Sequence, residues 1–303
     1  MTAITKRAYT LFQTEAFDVD SAVLGRRYEI SVAVPLSYHA TSRSYPVLVI
    51  LDANLCFATA VEAARLLALG GEVEELIVVG VGSPWTEGLD AFGKRRFHEF
   101  SPASRWDVDG PYAAITKAAF AAAGVDAQAM GGAPRFLRLL AEEVLPVIAR
   151  DYRADLTSPG LFGDSAGGTF ALYALLSGAS PFKRYICGSP ATAQCNDELY
   201  RMEERYAAAN QDLDAAVFLA AGSEEMASPF LEGGGIASGV CRFSGLFAFR
   251  QYPSLRVTSH FFTDEGHVSV VPAIISRGIR TLWTTGKRYG EMPKPVGSLR
   301  PAT

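Results

Sequence analysis

Ser165 has the sequence setting of a nucleophile in this 303-residue chain. It lies in the motif Gly163-Asp164-Ser165-Ala166-Gly167, after a short apolar run and before a stretch rich in Ala and Leu. That order predicts a strand, a tight turn and a helix, with Gly163 and Gly167 leaving room around a strained residue. The turn exposes the serine hydroxyl at the edge of a sheet, and the N–H of Ala166, at the helix start, is predicted to face a developing oxyanion.

A serine hydroxyl attacks a carbonyl carbon when a base takes its proton and an acid orients that base. For a nucleophile on such a turn, the acid and then the base follow along the chain, each after a later strand. His267 lies in a glycine-containing loop after the last predicted strand and is the predicted base. Glu225 and Glu224 both follow the strand that ends at Gly222, and Glu225 is favoured by its offset from that glycine.

The loop after the third predicted strand is the expected source of a second oxyanion donor. Its sequence is Asp52-Ala53-Asn54-Leu55. We predict that the backbone N–H of Asn54 joins that of Ala166 in holding the oxyanion.

Short apolar runs alternate with helical patterns along the chain. Strands are predicted at residues 28–34, 46–51, 75–82, 159–163, 185–189, 215–222 and 256–262. Helices are predicted at residues 57–69, 133–152, 166–176, 198–209, 240–252 and 269–282. This alternation predicts the α/β class, with a mostly parallel central sheet flanked by helices. The order of serine, acid and histidine makes it an α/β-hydrolase fold.

One domain over residues 1–303 is the simplest organisation, because no linker or composition break divides the chain. Residues 83–132 are predicted to be an irregular segment, which is either a cap over the site or a surface excursion. Residues 287–303 are predicted to be a loosely held tail.

Composition narrows the functional class. The net charge is −4 without a long basic run, which disfavours nucleic acid and anionic membranes as partners. Apolar runs are too short to span a bilayer, and the four scattered cysteines suggest free thiols in a reducing, cytoplasmic setting. Gly80-x-Gly82, Asp107-x-Asp109-Gly110 and His98-Glu99 are incomplete dinucleotide, calcium and zinc motifs, so we predict no cofactor and no metal.

Several further motifs resemble one known family. They are Glu142-Glu143-Val144-Leu145-Pro146, Phe162 to Gly168, Phe170 to Leu175, Arg95-Arg96, Ser189-Pro190 and Gly266-His267. Together they resemble the esterase-D-like α/β hydrolases, and within them the siderophore trilactone esterases, such as the enterobactin and bacillibactin hydrolases. The resemblance covers most of residues 28–285 and implies a serine ester hydrolase without a metal. Arg96, Asp164 and Leu55 are then expected to contact the substrate.

The chain departs from that family at the rim of the predicted pocket. Asp164 stands where the family usually has His, Ala53 replaces a common Gly, and residues 191–193 lack the usual aromatic side chains. The leading hypothesis is hydrolysis of a small-molecule carboxylic ester, including a bulky ester or lactone of the siderophore kind. Acyl transfer to an alcohol or sugar is the alternative, and a non-catalytic binding protein is a third. The sequence does not indicate an oligomeric state.

Overall fold

A computed structural model describes residues 8–102 and 130–288 of the protein, together with residues 5, 118, 121, 122 and 124. Eight strands form one sheet in the order β1-β2-β4-β3-β5-β6-β7-β8. The strands are β1 (Thr14–Ser21), β2 (Arg26–Ala33), β3 (Tyr45–Ile50), β4 (Ile77–Gly82), β5 (Ala154–Asp164), β6 (Arg184–Gly188), β7 (Ala216–Gly222) and β8 (Arg256–Phe262). β1 and β2 pair antiparallel and β2 pairs antiparallel with β4, whereas all later neighbours are parallel. The predicted α/β class is confirmed.

Helices cover both faces of this sheet. They are α1 (Ala53–Leu69), α2 (Gly88–Phe100), α3 (Ala133–Arg138), α4 (Leu145–Asp151), α5 (Ala166–Leu176), α6 (Gln194–Ala209), α7 (Pro229–Gly233), α8 (Ala237–Arg250) and α9 (Val271–Leu282). A π-helical turn at Leu139–Val144 joins α3 to α4, so the helix predicted at 133–152 is continuous with one change of winding.

Alternate strand residues supply two apolar cores, because successive side chains in a strand point to opposite faces. Leu161 of β5 belongs to the core beneath α3, α4 and α5, whereas its neighbour Phe162 belongs to the core beneath α1 and α9. Both side chains are buried. This two-sided burial explains why β3 to β7 appear in the sequence as continuous apolar runs.

The segment at 83–132 is more regular in its first part than its sequence predicts. A 3₁₀ turn at Trp85–Glu87 leads into α2, which packs against α5 and α3. Most of the remainder, residues 103–129, lies outside the described residues, as does the predicted tail beyond Arg288. Of the helices in the described part, none is long and apolar enough to cross a membrane.

Candidate active site

The predicted nucleophile lies on a sharp turn between β5 and α5. Ser165 has φ 57° and ψ −118°, a left-handed conformation that a residue with a side chain rarely adopts. A Cβ at Gly163 would lie 2.1 Å from the carbonyl oxygen of Gly167, so position 163 must be glycine. The parallel strands β3 to β8 end at this same edge of the sheet, which is why residues from distant loops meet here.

Our expectation that Gly167 must also be glycine is wrong. A Cβ there would make ordinary contacts, the nearest being 3.5 Å from an oxygen of Asp52. The crowded position is Gly168, where a Cβ would lie 2.2 Å from the carbonyl oxygen of Gly188 at the end of β6. The second close approach therefore joins α5 to the neighbouring strand, one residue later than the motif suggests.

The structure brings Ser165, His267 and Glu225 into one chain of hydrogen bonds. His267 Nε2 lies 3.0 Å from Ser165 Oγ, and His267 Nδ1 contacts Glu225 Oε1. His267 is in the loop after β8, and Glu225 is in a 3₁₀ turn, Ser223–Ala227, directly after β7. Of the two candidate acids, Glu225 is fully buried and reaches the imidazole, whereas Glu224 is exposed.

The carboxylate of Glu225 is held from two further sides. Its Oε2 accepts hydrogen bonds from the backbone N–H of Gly222 at 2.7 Å and from Ser189 Oγ at 2.9 Å. Ser189 follows β6 and is fully buried, and its own N–H donates to Ala220 O. Sequence reasoning assigned no role to Ser189, although the Ser189-Pro190 pair is part of the family resemblance.

The surroundings of His267 favour its protonated form. Burial alone would lower the pKa of the imidazole, but the hydrogen bond to Glu225 and the negative charges of Asp164 and Glu225 outweigh it, whereas Arg96 opposes them. The net pKa is raised above the ordinary histidine value. A base with a raised pKa accepts the serine proton more readily once it is neutral.

The two backbone amides predicted to bind the oxyanion, those of Asn54 and Ala166, have no hydrogen-bond partner among the described residues. The N–H groups of Leu55 and Cys56 both donate to Asp52 O, at 2.9 and 3.0 Å, whereas the N–H of Asn54 in the first turn of α1 donates to no described group. The N–H of Ala166 at the start of α5 is likewise unpaired within the described chain. The Asn54 side chain exchanges hydrogen bonds with the Ser83 backbone at 2.7 and 2.9 Å, which fixes this loop. Both amides are free to bind an oxyanion, and that role stays a prediction.

A cleft of about 430 Å³ opens in front of Ser165 and His267. Its other lining residues are Asp52, Leu55, Cys56, Thr59, Phe92, Arg96, Asp164, Val268, Val271 and Pro272. All three residues predicted to contact substrate, Arg96, Asp164 and Leu55, are among them. Helix α2 supplies Phe92 and Arg96, so this part of the predicted cap forms one wall of the cleft.

Arg96 on α2 and Asp164 at the end of β5 both line the cleft and differ in their bonding. Arg96 makes two hydrogen bonds to the Asp52 carboxylate, at 3.0 and 2.8 Å, so the charges of the two side chains balance. Asp164 is only 9% exposed, and its Oδ1 is buried without a hydrogen-bond partner among the described residues. Burial, reinforced by the charges of Glu225 and Asp52, raises the pKa of Asp164 to about 7 against the opposing charges of His267 and Arg96.

No group of three or more His, Cys, Asp or Glu side chains within the described ranges is arranged to hold a metal ion. That the protein works without a metal ion stays a prediction. The arrangement at Ser165 can perform acyl chemistry with its own side chains, because it contains a nucleophile, a base, an orienting acid and free backbone donors.

Comparison with curated proteins gives relatives along nearly the whole chain. The ferri-bacillibactin esterase BesA of Bacillus subtilis is 29% identical over 283 residues, which cover 91% of this chain and 91% of BesA. A siderophore enterobactin esterase of Emericella nidulans is 30% identical over 173 residues, covering 54% of this chain and 53% of that protein. Among solved structures, the BES protein from Bacillus cereus matches with a TM-score of 0.73 and 27% identity, covering 93% of this chain and 99% of that one.

A protein-family model described as "Putative esterase" matches residues 21–229. The match includes Ser165 and Glu225, whereas His267 lies beyond it. It spans more than half of the chain, and the chain therefore belongs to this esterase family.

Proposed function

We propose that this esterase hydrolyses carboxylic esters through an acyl-enzyme on Ser165. The observation that carries the proposal is the hydrogen-bonded chain from Ser165 Oγ to His267 Nε2 at 3.0 Å and from His267 Nδ1 to Glu225. Such a chain is what a serine nucleophile needs, because the hydroxyl is a weak nucleophile until a positioned base accepts its proton.

In the first half-reaction, Ser165 Oγ attacks the ester carbonyl carbon while His267 Nε2 takes the hydroxyl proton. The tetrahedral intermediate places its negative oxygen near the N–H groups of Ala166 and Asn54. The carbon–oxygen bond to the alcohol then breaks, and His267 gives its proton to the departing alkoxide. Glu225 stabilises the imidazolium and keeps Nδ1 protonated throughout.

In the second half-reaction, a water molecule takes the place of the alcohol. His267 removes one proton from the water as its oxygen attacks the acyl carbon of the acyl-enzyme. The bond to Ser165 Oγ breaks, the serine regains its proton from His267, and the carboxylic acid leaves. Deacylation by an alcohol in place of water would give acyl transfer with the same residues.

We further propose a bulky siderophore-type ester or lactone as the substrate. The similarity to BesA over 91% of both chains supports this choice, because that relative is described as a ferri-bacillibactin esterase. The cleft also suits a large substrate, because Leu55 and Val268 on its rim are exposed apolar side chains.

The test is a panel of linear esters of graded acyl length together with a trilactone siderophore, assayed with wild type and Ser165→Ala. We expect wild type to hydrolyse the trilactone with a higher kcat/KM than the linear esters, and Ser165→Ala to lose activity on all of them. Linear esters hydrolysed faster than the trilactone would overturn the siderophore assignment. An added alcohol that is converted to ester in preference to hydrolysis would identify an acyltransferase.

A further inference from the structure

Asp164 is a buried carboxyl group that the proposed reaction leaves without a direct task. It is the last residue of β5, directly before Ser165, and it lines the cleft alongside Ser165 and His267. Only 9% of the residue is exposed. It is therefore the acidic group positioned to meet a substrate arm beside the reacting ester.

The described surroundings of Asp164 provide no hydrogen-bond donor to its buried carboxylate oxygen. Asp164 Oδ1 is buried close to Gly188 and accepts no hydrogen bond from the described residues. Arg96 Nη2 donates to the backbone carbonyl oxygen of Asp164, at 3.4 Å, and not to its carboxylate. The titratable groups that face it are Asp52 directly before α1, Cys56 on α1, Arg96 on α2, Glu225 in the turn after β7 and His267 in the loop after β8. Arg96 is already bound to Asp52, and His267 is bound to Glu225 and Ser165.

The described walls of the cleft thus leave one acidic group without a matching partner. A buried polar group without a partner is unfavourable, and a substrate group that supplies the partner is selected over one that does not. A positively charged arm in the cleft would be attracted by the Asp164 carboxylate, whose burial weakens the screening of its charge by water. An anionic arm would be repelled there by Asp164, because Arg96, the cation on the described wall, is already paired with Asp52.

We propose that Asp164 is a specificity-determining residue that favours esters carrying a positively charged arm next to the scissile bond and disfavours esters with an anionic arm there. This inference rests on the proposed function, because it assigns a substrate property to the same site. Among siderophore-type esters, the site then prefers those with cationic or neutral arms around the ester.

The test compares esters that differ only in charge. Choline butyrate and 3,3-dimethylbutyl butyrate have the same shape, with a quaternary nitrogen replaced by carbon, and they place the charge on the alcohol side. The p-nitrophenyl esters of 4-(trimethylammonio)butanoic acid and 5,5-dimethylhexanoic acid do the same on the acyl side. The readout is the ratio of kcat/KM for the cationic ester to kcat/KM for its neutral partner, at pH 8, in wild type, Asp164→Asn and Glu224→Gln.

We expect wild type to prefer the cationic ester in at least one pair, and Asp164→Asn to lower that ratio by about tenfold, as the loss of one close charge pair in a partly excluded cleft implies. Glu224→Gln removes an equal charge from an exposed position, and its ratio should stay within about twofold of wild type because solvent screens that charge.

A second readout uses wild type alone. In wild type the ratio should rise as the pH passes through 7, because burial has raised the pKa of Asp164 to about 7 and the carboxylate forms above it.

A ratio near one in both pairs, or a preference that Asp164→Asn retains, would overturn the inference and leave the esterase mechanism standing. If wild type hydrolyses none of the esters or if Ser165→Ala hydrolyses them equally well, the proposed function fails and the inference fails with it.

Discussion

The two carboxyl groups beside the nucleophile have opposite surroundings. Glu225 is fully buried and accepts hydrogen bonds from Gly222 N–H and Ser189 Oγ while it contacts His267. Asp164 is almost as deeply buried, yet its carboxylate oxygen Oδ1 has no hydrogen-bond partner among the described residues. Burial is similar at the two positions, so the difference lies in what the neighbouring loops offer.

The two carboxyl groups are therefore suited to different roles in one site. A carboxylate with all its hydrogen bonds made has one orientation, and it can hold the imidazole in one tautomer. A carboxyl group without hydrogen-bond partners costs folding stability, and its charge is free to act on a substrate in the cleft. Activity should therefore depend strongly on Glu225, whereas Asp164 should affect stability, pH dependence and substrate choice.

The largest expected effect is that of Glu225→Gln. A glutamine amide that donates to His267 Nδ1 puts the imidazole proton on Nε2, where the ring can no longer accept the serine proton. We expect kcat for a neutral ester to fall by about 10³–10⁴-fold, with the fold retained by circular dichroism. Glu224→Gln is the matched control and should stay within about twofold, because that side chain is exposed. Similar losses in both variants would contradict the assignment of Glu225.

The next effect concerns stability. The pKa of Asp164 is about 7 in the folded protein and close to the ordinary carboxyl value of about 4 in the unfolded chain. Between these values the folded state binds the extra proton, so the free energy of unfolding falls as the pH rises through this window. The amide of Asp164→Asn does not titrate, so the variant does not lose this free energy of unfolding as the pH rises. We expect it to be more stable than wild type at pH 8 by on the order of 2 kcal/mol.

Urea denaturation of wild type and Asp164→Asn at pH 5 and pH 8 measures that difference. The gain from the substitution should be larger at pH 8 than at pH 5. A gain that is the same at both pH values, or a loss at pH 8, would mean that Asp164 has a partner in solution.

Ser189→Ala should have an intermediate effect, because it removes one of the hydrogen bonds that hold Glu225 and keeps the contact with His267. We expect kcat to fall by about tenfold, because Glu225 Oε2 then keeps only the hydrogen bond from Gly222 N–H, and a hydrogen bond to a charged group contributes roughly 1.5–3 kcal/mol. Ser177→Ala is the control, because its hydroxyl donates to Ala174 O at the far end of α5. If kcat is unchanged in Ser189→Ala, the hydrogen bond from Ser189 is not needed to orient the acid.

The smallest expected effect is on the pH–rate profile of Asp164→Asn. The negative charge of Asp164 contributes to the raised pKa of His267, and the reaction needs this imidazole to be neutral. Its removal lowers the pKa of His267, so the acidic limb of kcat/KM for a neutral ester should move to lower pH. An unmoved limb would show that the two groups do not interact, whereas Glu224→Gln should leave the limb in place.

Much of this site could be predicted from the order of residue types along the chain. Apolar runs gave the strands, and a parallel sheet brings the ends of successive strands to one edge, so Ser165, Glu225 and His267 could be expected to meet. Their roles in catalysis stay predictions until they are tested.

The remaining features depend on contacts between distant segments. Gly168, rather than Gly167, must be glycine because Gly188 of the neighbouring strand approaches it. Helix α2 lacks an apolar stripe because Arg95 and Glu99 are buried on its inner face, where Glu99 accepts a hydrogen bond from Tyr28. The carboxylate of Asp164 has no hydrogen-bond partner among the described residues, because the nearby Arg96 donates to the Asp52 carboxylate and to the backbone oxygen of Asp164. Neither periodicity nor motif spacing carries information about such pairings.

The central claim is that Ser165 is the nucleophile, and mapping the site of modification by diisopropyl fluorophosphate tests it most directly. The reagent phosphorylates an activated serine oxygen and releases fluoride, which leaves a stable adduct for mass spectrometry of the digested protein. We predict one adduct, on the peptide containing Ser165, with no adduct in Ser165→Ala and much slower labelling in His267→Ala. An adduct on another residue, or full hydrolysis of esters by protein in which Ser165 is modified, would contradict the account.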